Sequence, residues 1–127
     1  MTATQPPRVL VVEDEELVRD MIVQELTLAG FEVLAAGSAE DALAVLADAG
    51  RIDLLFTDIR LPGMDGWQLA EHIPGLHADI PVIYASGYAG RVSPLPHSKF
   101  LQKPYRPSQV LQAAANLGIK LPVAPSN

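Results

Sequence analysis

The sequence predicts an α/β fold, a doubly wound sheet of five parallel strands with helices on both faces. Three observations carry that prediction. Short apolar runs alternate with stretches of helical periodicity from Arg8 to Leu117. The runs Val9-Leu10-Val11-Val12 and Leu54-Leu55-Phe56 are apolar without alternation, as strands buried on both faces are. The residues capable of chemistry follow the runs, at the strand ends where ligands sit in an open parallel sheet.

The chain has 127 residues, 49% of them hydrophobic and 19% charged, which suits one globular domain with its own core. Residues 1–7 and 118–127 read as tails around a domain at 8–117. There is no cysteine, so disulfides, thiolate metal sites and cysteine nucleophiles are excluded. The first residues carry no basic region followed by an apolar core, and no apolar run is long enough for a bilayer. A cytoplasmic location is the expectation. A net charge of −6, with no basic stripe, argues against nucleic acid and against anionic membranes as partners.

Arg8-Val9-Leu10-Val11-Val12 is the first strand. Glu13 to Glu16 supply acids to a helix N-terminus; Leu17, Val18, Met21, Ile22, Leu26 and Ala29 recur at helical spacing, and Gly30 closes that helix. Phe31 to Ala35 forms a second strand. Ser38 caps the next helix, with Asp41 in an approximate capping box and Gly50 at its end. A third strand runs from Ile52 to Thr57 and stops on Asp58, followed by a Pro62-Gly63 turn and a new helix start at Asp65-Gly66. That helix runs from Trp67 to about Ile73 and stops at Pro74-Gly75. Ile80 to Ala85 is a fourth strand ending at Ser86-Gly87-Tyr88. The fourth helix is weak, because Ala89 to Pro96 holds two prolines and a glycine. Ser98 to Gln102 is a fifth strand, Lys103-Pro104 a turn, and Pro107 suits N1 of a last helix carrying Val110, Leu111, Ala114 and Leu117. Five strands in this arrangement give a flavodoxin-like sandwich.

The strand ends bring Glu13, Asp14, Asp58, Ser86 and Lys103 to one crevice. Three converging carboxylates repel unless a cation neutralises them, and few protein oxygens around a phosphoryl site suit magnesium. A lysine and a serine hydroxyl suit phosphoryl oxygens. The set matches phosphoryl transfer to a carboxylate, with Asp58, alone at its strand end, as nucleophile. Singly, each residue has an ordinary reading. Glu13 and Asp14 can serve a helix N-terminus, Asp58 an Asx turn, Ser86 a turn, and Lys103 a solvated surface. Their joint position at one edge favours the functional one.

The motifs Val9-Leu10-Val11-Val12-Glu13-Asp14-Glu15, Thr57-Asp58-Ile59-Arg60-Leu61-Pro62-Gly63-Met64-Asp65-Gly66, Ala85-Ser86-Gly87 and Lys103-Pro104 resemble the receiver domain of two-component response regulators over residues 8–117. The resemblance implies that Asp58 accepts a phosphoryl group from a phosphohistidine on a sensor histidine kinase or a histidine phosphotransfer protein. It implies Mg2+ bound by Asp14, Asp58 and the backbone carbonyl of Arg60, with Glu13 acting through water. Ser86 and Lys103 then bind the phosphoryl group, and a downstream protein reads the result. Kinase docking is expected on the first helix, near Leu17, Arg19 and Asp20. The domain is expected to be a switch more than an enzyme, with only self-catalysed transfer and hydrolysis.

Phe100 stands where the family has an aromatic switch residue, without the hydroxyl of tyrosine; plain core packing is the other reading. Tyr88, two after Ser86, flanks the phosphoryl site. The first acid is Glu13 where the family more often has Asp. The run Tyr84-Ala85-Ser86-Gly87-Tyr88 is similar to single-domain and hybrid-kinase receivers whose fourth helix is poorly formed, so an order–disorder output is expected there. His72, His77 and His97 lack metal-ligand spacing and are expected at the surface or at helix ends. Trp67 is expected to pack. Two other readings stay open, a binding-only pseudo-receiver and an aspartyl-phosphate magnesium phosphatase. The second lacks both a convincing second acid at the first strand end and room for a cap.

Overall fold

The structure, a computed structural model, describes residues 5–73, 75–77, 79–87 and 97–120. Its strands are β1 (Arg8–Val12), β2 (Glu32–Ala36), β3 (Leu54–Asp58), β4 (Val82–Ser86) and β5 (Ser98–Gln102), all parallel, in the order β2-β1-β3-β4-β5. The helices are α1 (Glu16–Leu28), α2 (Ala39–Asp48), α3 (Gly66–Glu71) and α4 (Pro107–Asn116), with a 3-10 turn at Gly75–His77. The chain moves outward from β1 to β2 and then returns past β1 to β3, so the order reverses beside the ends of β1 and β3. Such a reversal opens a crevice at the carboxyl edge of the sheet.

The sheet is apolar on both faces because successive side chains of a strand point to opposite sides. Leu10, Val12, Leu55 and Tyr84 face α2 and α3, where they meet Leu46 and Leu69. Val9, Val11, Leu54, Phe56, Ile83 and Ala85 face α1 and α4, where they meet Leu26, Val110 and Ala114. Each fully buried leucine, valine or isoleucine contributes about 1.5–3 kcal/mol. That alternation explains why β1, β3 and β4 show no polar side in the sequence.

Register then sets the site. Val12 pairs with Thr57, Asp58 with Ala85, and Ser86 with Gln102. Glu13 and Lys103 are thus the first residues past their ladders, while Asp58 and Ser86 are the last residues within theirs. β3 and β4 lie one to two residues later than their composition suggests. The ladder continues while backbone partners remain, and Ile59 N still donates to Ala85 O at 2.9 Å.

The caps follow the residues expected to make them. Ser38 Oγ accepts from Asp41 N at 3.0 Å, and Asp65 and Gln68 form a reciprocal capping box. Pro107 opens α4, and Gly30 at φ 112° and Gly118 at φ 89° end α1 and α4. Of the residues assigned to tails, Pro7 is buried and its carbonyl accepts from Glu32 N, while Ile119 packs against the α1–α4 side of the core. The weak fourth helix falls at 88–96, outside the described residues.

Candidate functional site

The carboxylates of Glu13, Asp14 and Asp58 converge, with an oxygen from each lying within 4.8 Å of the others. Glu13 is 2% exposed and Asp58 8%, while Asp14 opens to solvent. Lys103 Nζ donates to Asp58 Oδ2 at 2.9 Å and to Glu13 Oε1 at 3.4 Å. Its backbone is held where β5 leaves the sheet, as Lys103 N donates to Ser86 O at 2.7 Å. The second Glu13 oxygen accepts from Glu15 N at 3.1 Å, which folds that side chain over its own turn. The short β1–α1 turn, the end of β3 and the end of β5 thus deliver four charged groups to one point.

The loop from Ile59 to Asp65 closes over the backbone of Asp58. Gly66 N donates to Ile59 O at 2.8 Å, and a Cβ at Gly66 would stand 2.5 Å from Asp58 O and 2.9 Å from Ile59 Cα. Only glycine allows that approach. Gly63 holds φ 75°, and the Glu40 carboxylate, from the first turn of α2, lies beside it and accepts from Met64 N at 3.4 Å.

Three carboxylates face one ammonium, so the cluster carries an excess of negative charge. Burial raises the pKa of Glu13 and the charge of Asp58 adds to that, against the lowering effects of the Glu15 N–H and Lys103. For Lys103 burial acts to lower the pKa, but the hydrogen bond and charge of Asp58, then those of Glu13, outweigh it and the net shift is upward. A hard divalent cation fits this donor set, which is all oxygen, partly open through Asp14, and short of positive charge. Such a cluster can hold a cation and bind a doubly charged anion beside Asp58.

Ser86, the last residue of β4, is buried within the same edge. Arg60 is exposed in the loop two residues past Asp58. Phe100 lies half-buried on β5, opposite Tyr84 in the ladder, and packs on the α2–α3 side of the core. Tyr84 is fully buried against Trp67, with ring centroids 4.2 Å apart, and its hydroxyl has no hydrogen-bond partner among the described residues. Burial first, then the charge of Glu71, pushes that phenol up to about 12. Tyr88 lies outside the described residues. His72 and His97 are exposed as expected. His77 is not, being 6% exposed with Nε2 2.7 Å from Gly50 O. The 3-10 turn carries it inward against the end of α2, a turn that Pro74-Gly75 did not reveal.

Sequence reasoning named Arg19 only for kinase docking and did not single out Tyr105, yet both border the cluster; it also passed over Glu40, which borders the loop over Asp58. Arg19 Nη1 donates to Glu13 O at 2.9 Å. Tyr105 packs edge-on against Phe56, with centroids 5.6 Å apart, and its pKa is raised by burial and then by Glu13 and Asp58. Only the position of Tyr105 two residues after Lys103 hinted at its role. Tyr105 also lines a groove of about 490 Å3 between α1 and α4, with Val18, Met21, Ile22, Leu26 and Val110.

The family model described as the response regulator receiver domain matches residues 9–115. The chain is similar to the transcriptional regulatory protein AruR of Pseudomonas aeruginosa, 32% identical over 87% of this chain and 49% of that protein. It is similar in structure to the receiver domain from the hybrid histidine kinase CckA, with TM-score 0.76, 35% identity, and 87% and 97% of the two chains covered. A response regulator TrrA from Thermotoga maritima, solved in complex with Mg2+-BeF, has TM-score 0.76 at 28% identity, covering 87% of this chain and 98% of that one. The chain spans about half the length, or less, of the curated relatives it matches. The chain belongs to the response regulator receiver domain family of two-component systems.

Proposed function

We propose that this receiver domain accepts a phosphoryl group on Asp58 from a phosphohistidine and that the modified face switches a protein–protein interaction. The observation that carries the reading is the Lys103 ammonium 2.9 Å from the Asp58 carboxylate, inside a cluster of three acids. In the reaction an Asp58 oxygen attacks phosphorus and the P–N bond breaks. The imidazole leaves with the electron pair and is protonated. Asp14 and Asp58, the carbonyl of Arg60, and Glu13 through water would hold Mg2+. When bound, the ion neutralises the acids and the oxygens of the transferring group. Lys103 and the Ser86 hydroxyl take the phosphoryl oxygens, and Phe100 and Tyr88 are the residues through which its presence reaches the surface. Loss of the group is hydrolysis by water at the same site, so the domain acts as a timed switch.

The donor is a sensor histidine kinase or a histidine phosphotransfer protein, docking on α1. That helix leaves Leu17 83% exposed and Met21 55% exposed beside the α1–α4 groove, a surface suited to an amphipathic partner helix. The acceptor of the signal is a downstream protein. The working compartment is the cytoplasm; among the described residues no helix is long and apolar enough to cross a membrane.

Intact mass after incubation with magnesium and a small phosphoryl donor such as acetyl phosphate tests the reading. One phosphoryl adduct is expected, absent from Asp58→Asn and absent without magnesium. No adduct, or one that survives Asp58→Asn, overturns the reading in favour of a receiver that binds its partners unmodified.

A further inference from the structure

The turn that carries Glu13 and Asp14 is fixed at three points. Its entry is the β1–β2 ladder, where Glu13 N donates to Ala36 O at 3.1 Å. Its exit is the Glu13 carboxylate accepting from Glu15 N. The peptide between the two acids is held from outside, by Arg19 of α1, whose Nη1 donates to the Glu13 carbonyl at 2.9 Å. Arg19 itself is seated one turn into α1, with its N–H on Glu15 O at 2.8 Å, and its guanidinium lies over Gly37 in the β2–α2 connection. A Cβ at Gly37 would meet Nη1 at 3.2 Å, close enough that the guanidinium would have to shift by a few tenths of an ångström to make room.

From this geometry we infer that Arg19 is a positioning residue for the divalent-cation pocket, acting through the Glu13–Asp14 peptide plane. The inference rests on the functional reading above. Asp14 opens to solvent, so its direction depends on the backbone that launches it. A charge-assisted hydrogen bond to a backbone carbonyl is strong and directional. The exit anchor is a carboxylate of the cluster itself, which a cation competes for; Arg19 is the anchor that a cation leaves alone. Partners of this outer kind typically change metal affinity by about 10- to 100-fold.

A second effect of the same residue has the opposite sign, which makes the inference testable. Taking a positive charge away from beside a cation site strengthens cation binding by Coulomb's law alone. Magnesium affinity is measured by calorimetry on the wild-type protein, Arg19→Met, Arg19→Lys and Gly37→Ala, with melting temperatures in the absence of metal recorded alongside. A positioning role predicts that Arg19→Met binds magnesium about 10-fold or more weakly. Arg19→Lys, which keeps one donor, recovers part of the loss. Gly37→Ala, whose Cβ presses on Nη1, shifts affinity the same way by less, and it carries the test if Arg19→Met does not fold. Affinity unchanged or tightened in Arg19→Met, with only the melting temperature lowered, overturns the inference and leaves the phosphoacceptor reading standing. Absence of magnesium binding by the wild-type protein overturns both.

Discussion

The two edges of the one sheet carry charged residues in comparable number and treat them in opposite ways. At the amino edge Arg8 Nη1 donates to Ala49 O and Arg51 O at 2.8 and 2.9 Å, and Arg8 N donates to Asp53 at 2.8 Å. Arg8 also pairs with Glu32 and Arg51 with Asp53. Two cations face two anions, and the surplus donors are spent on backbone carbonyls. At the carboxyl edge the three carboxylates of Glu13, Asp14 and Asp58 have, among the described residues, one ion-pair partner, Lys103, while Arg19 is engaged with the Glu13 backbone carbonyl. The amino edge is balanced in charge, while the carboxyl edge carries an excess of negative charge.

The largest test of this contrast is steric. Gly66→Ala drives a methyl group onto the Asp58 carbonyl and is expected to cost about 1–3 kcal/mol. Gly75→Ala, whose Cβ meets nothing within 4 Å, should stay within about 0.5 kcal/mol of wild type. Urea unfolding of the pair decides it, and equal effects would mean that the loop over Asp58 is loosely held.

A smaller effect is expected from the amino edge. Arg8→Met strips the donors from Ala49 O and Arg51 O, for a loss of about 1–2 kcal/mol, since water reaches part of this edge. Magnesium affinity and phosphoryl uptake should be unchanged. A change in either would show that the two edges are coupled through the sheet.

The smallest expected effect is a slope in pH. The folded-state pKa of Glu13 is raised above 4.5, so the folded protein holds that proton more tightly than the unfolded chain does. Its contribution is fully present below pH 4.5 and is lost as pH rises through the raised value. Without metal, Glu13→Gln should therefore flatten the fall in stability above pH 4.5, as read from urea midpoints across that window. Lys103 does not interfere, because its pKa is raised from 10.5 and its contribution is lost only as pH climbs beyond that value. A wild-type slope no steeper than that of Glu13→Gln would remove burial as the force acting on Glu13.

Much of the carboxyl edge was legible in the chain itself. Leu54-Leu55-Phe56 without alternation meant a strand covered on both sides, and Asp58 directly after it meant a carboxylate at the working edge. Ser38, Asp65, Pro107, Gly30 and Gly118 announced the helix ends through their own backbone chemistry. His77 misled because burial depends on where a turn is carried in space, which Pro74-Gly75 does not encode. The contacts that Arg19 and Glu40 make were unreadable for a related reason. Arg19 reaches the Glu13 carbonyl from α1 and Glu40 reaches the loop over Asp58 from α2, and a helix surface arginine looks the same in sequence whether it meets water or a carbonyl.

The sequence by itself determined the order of elements, the parallel sheet and the list of groups at its carboxyl edge, because periodicity, capping and strand ends are local properties of neighbouring residues. The tertiary structure alone decided the register that puts Asp58 opposite Ala85 and the 2.9 Å contact that joins Lys103 to a residue 45 positions away. It also decided the approach that only Gly66 permits, and the arginine that holds the Glu13 carbonyl. Those depend on distances between segments far apart in the chain, which packing sets and local pattern does not carry.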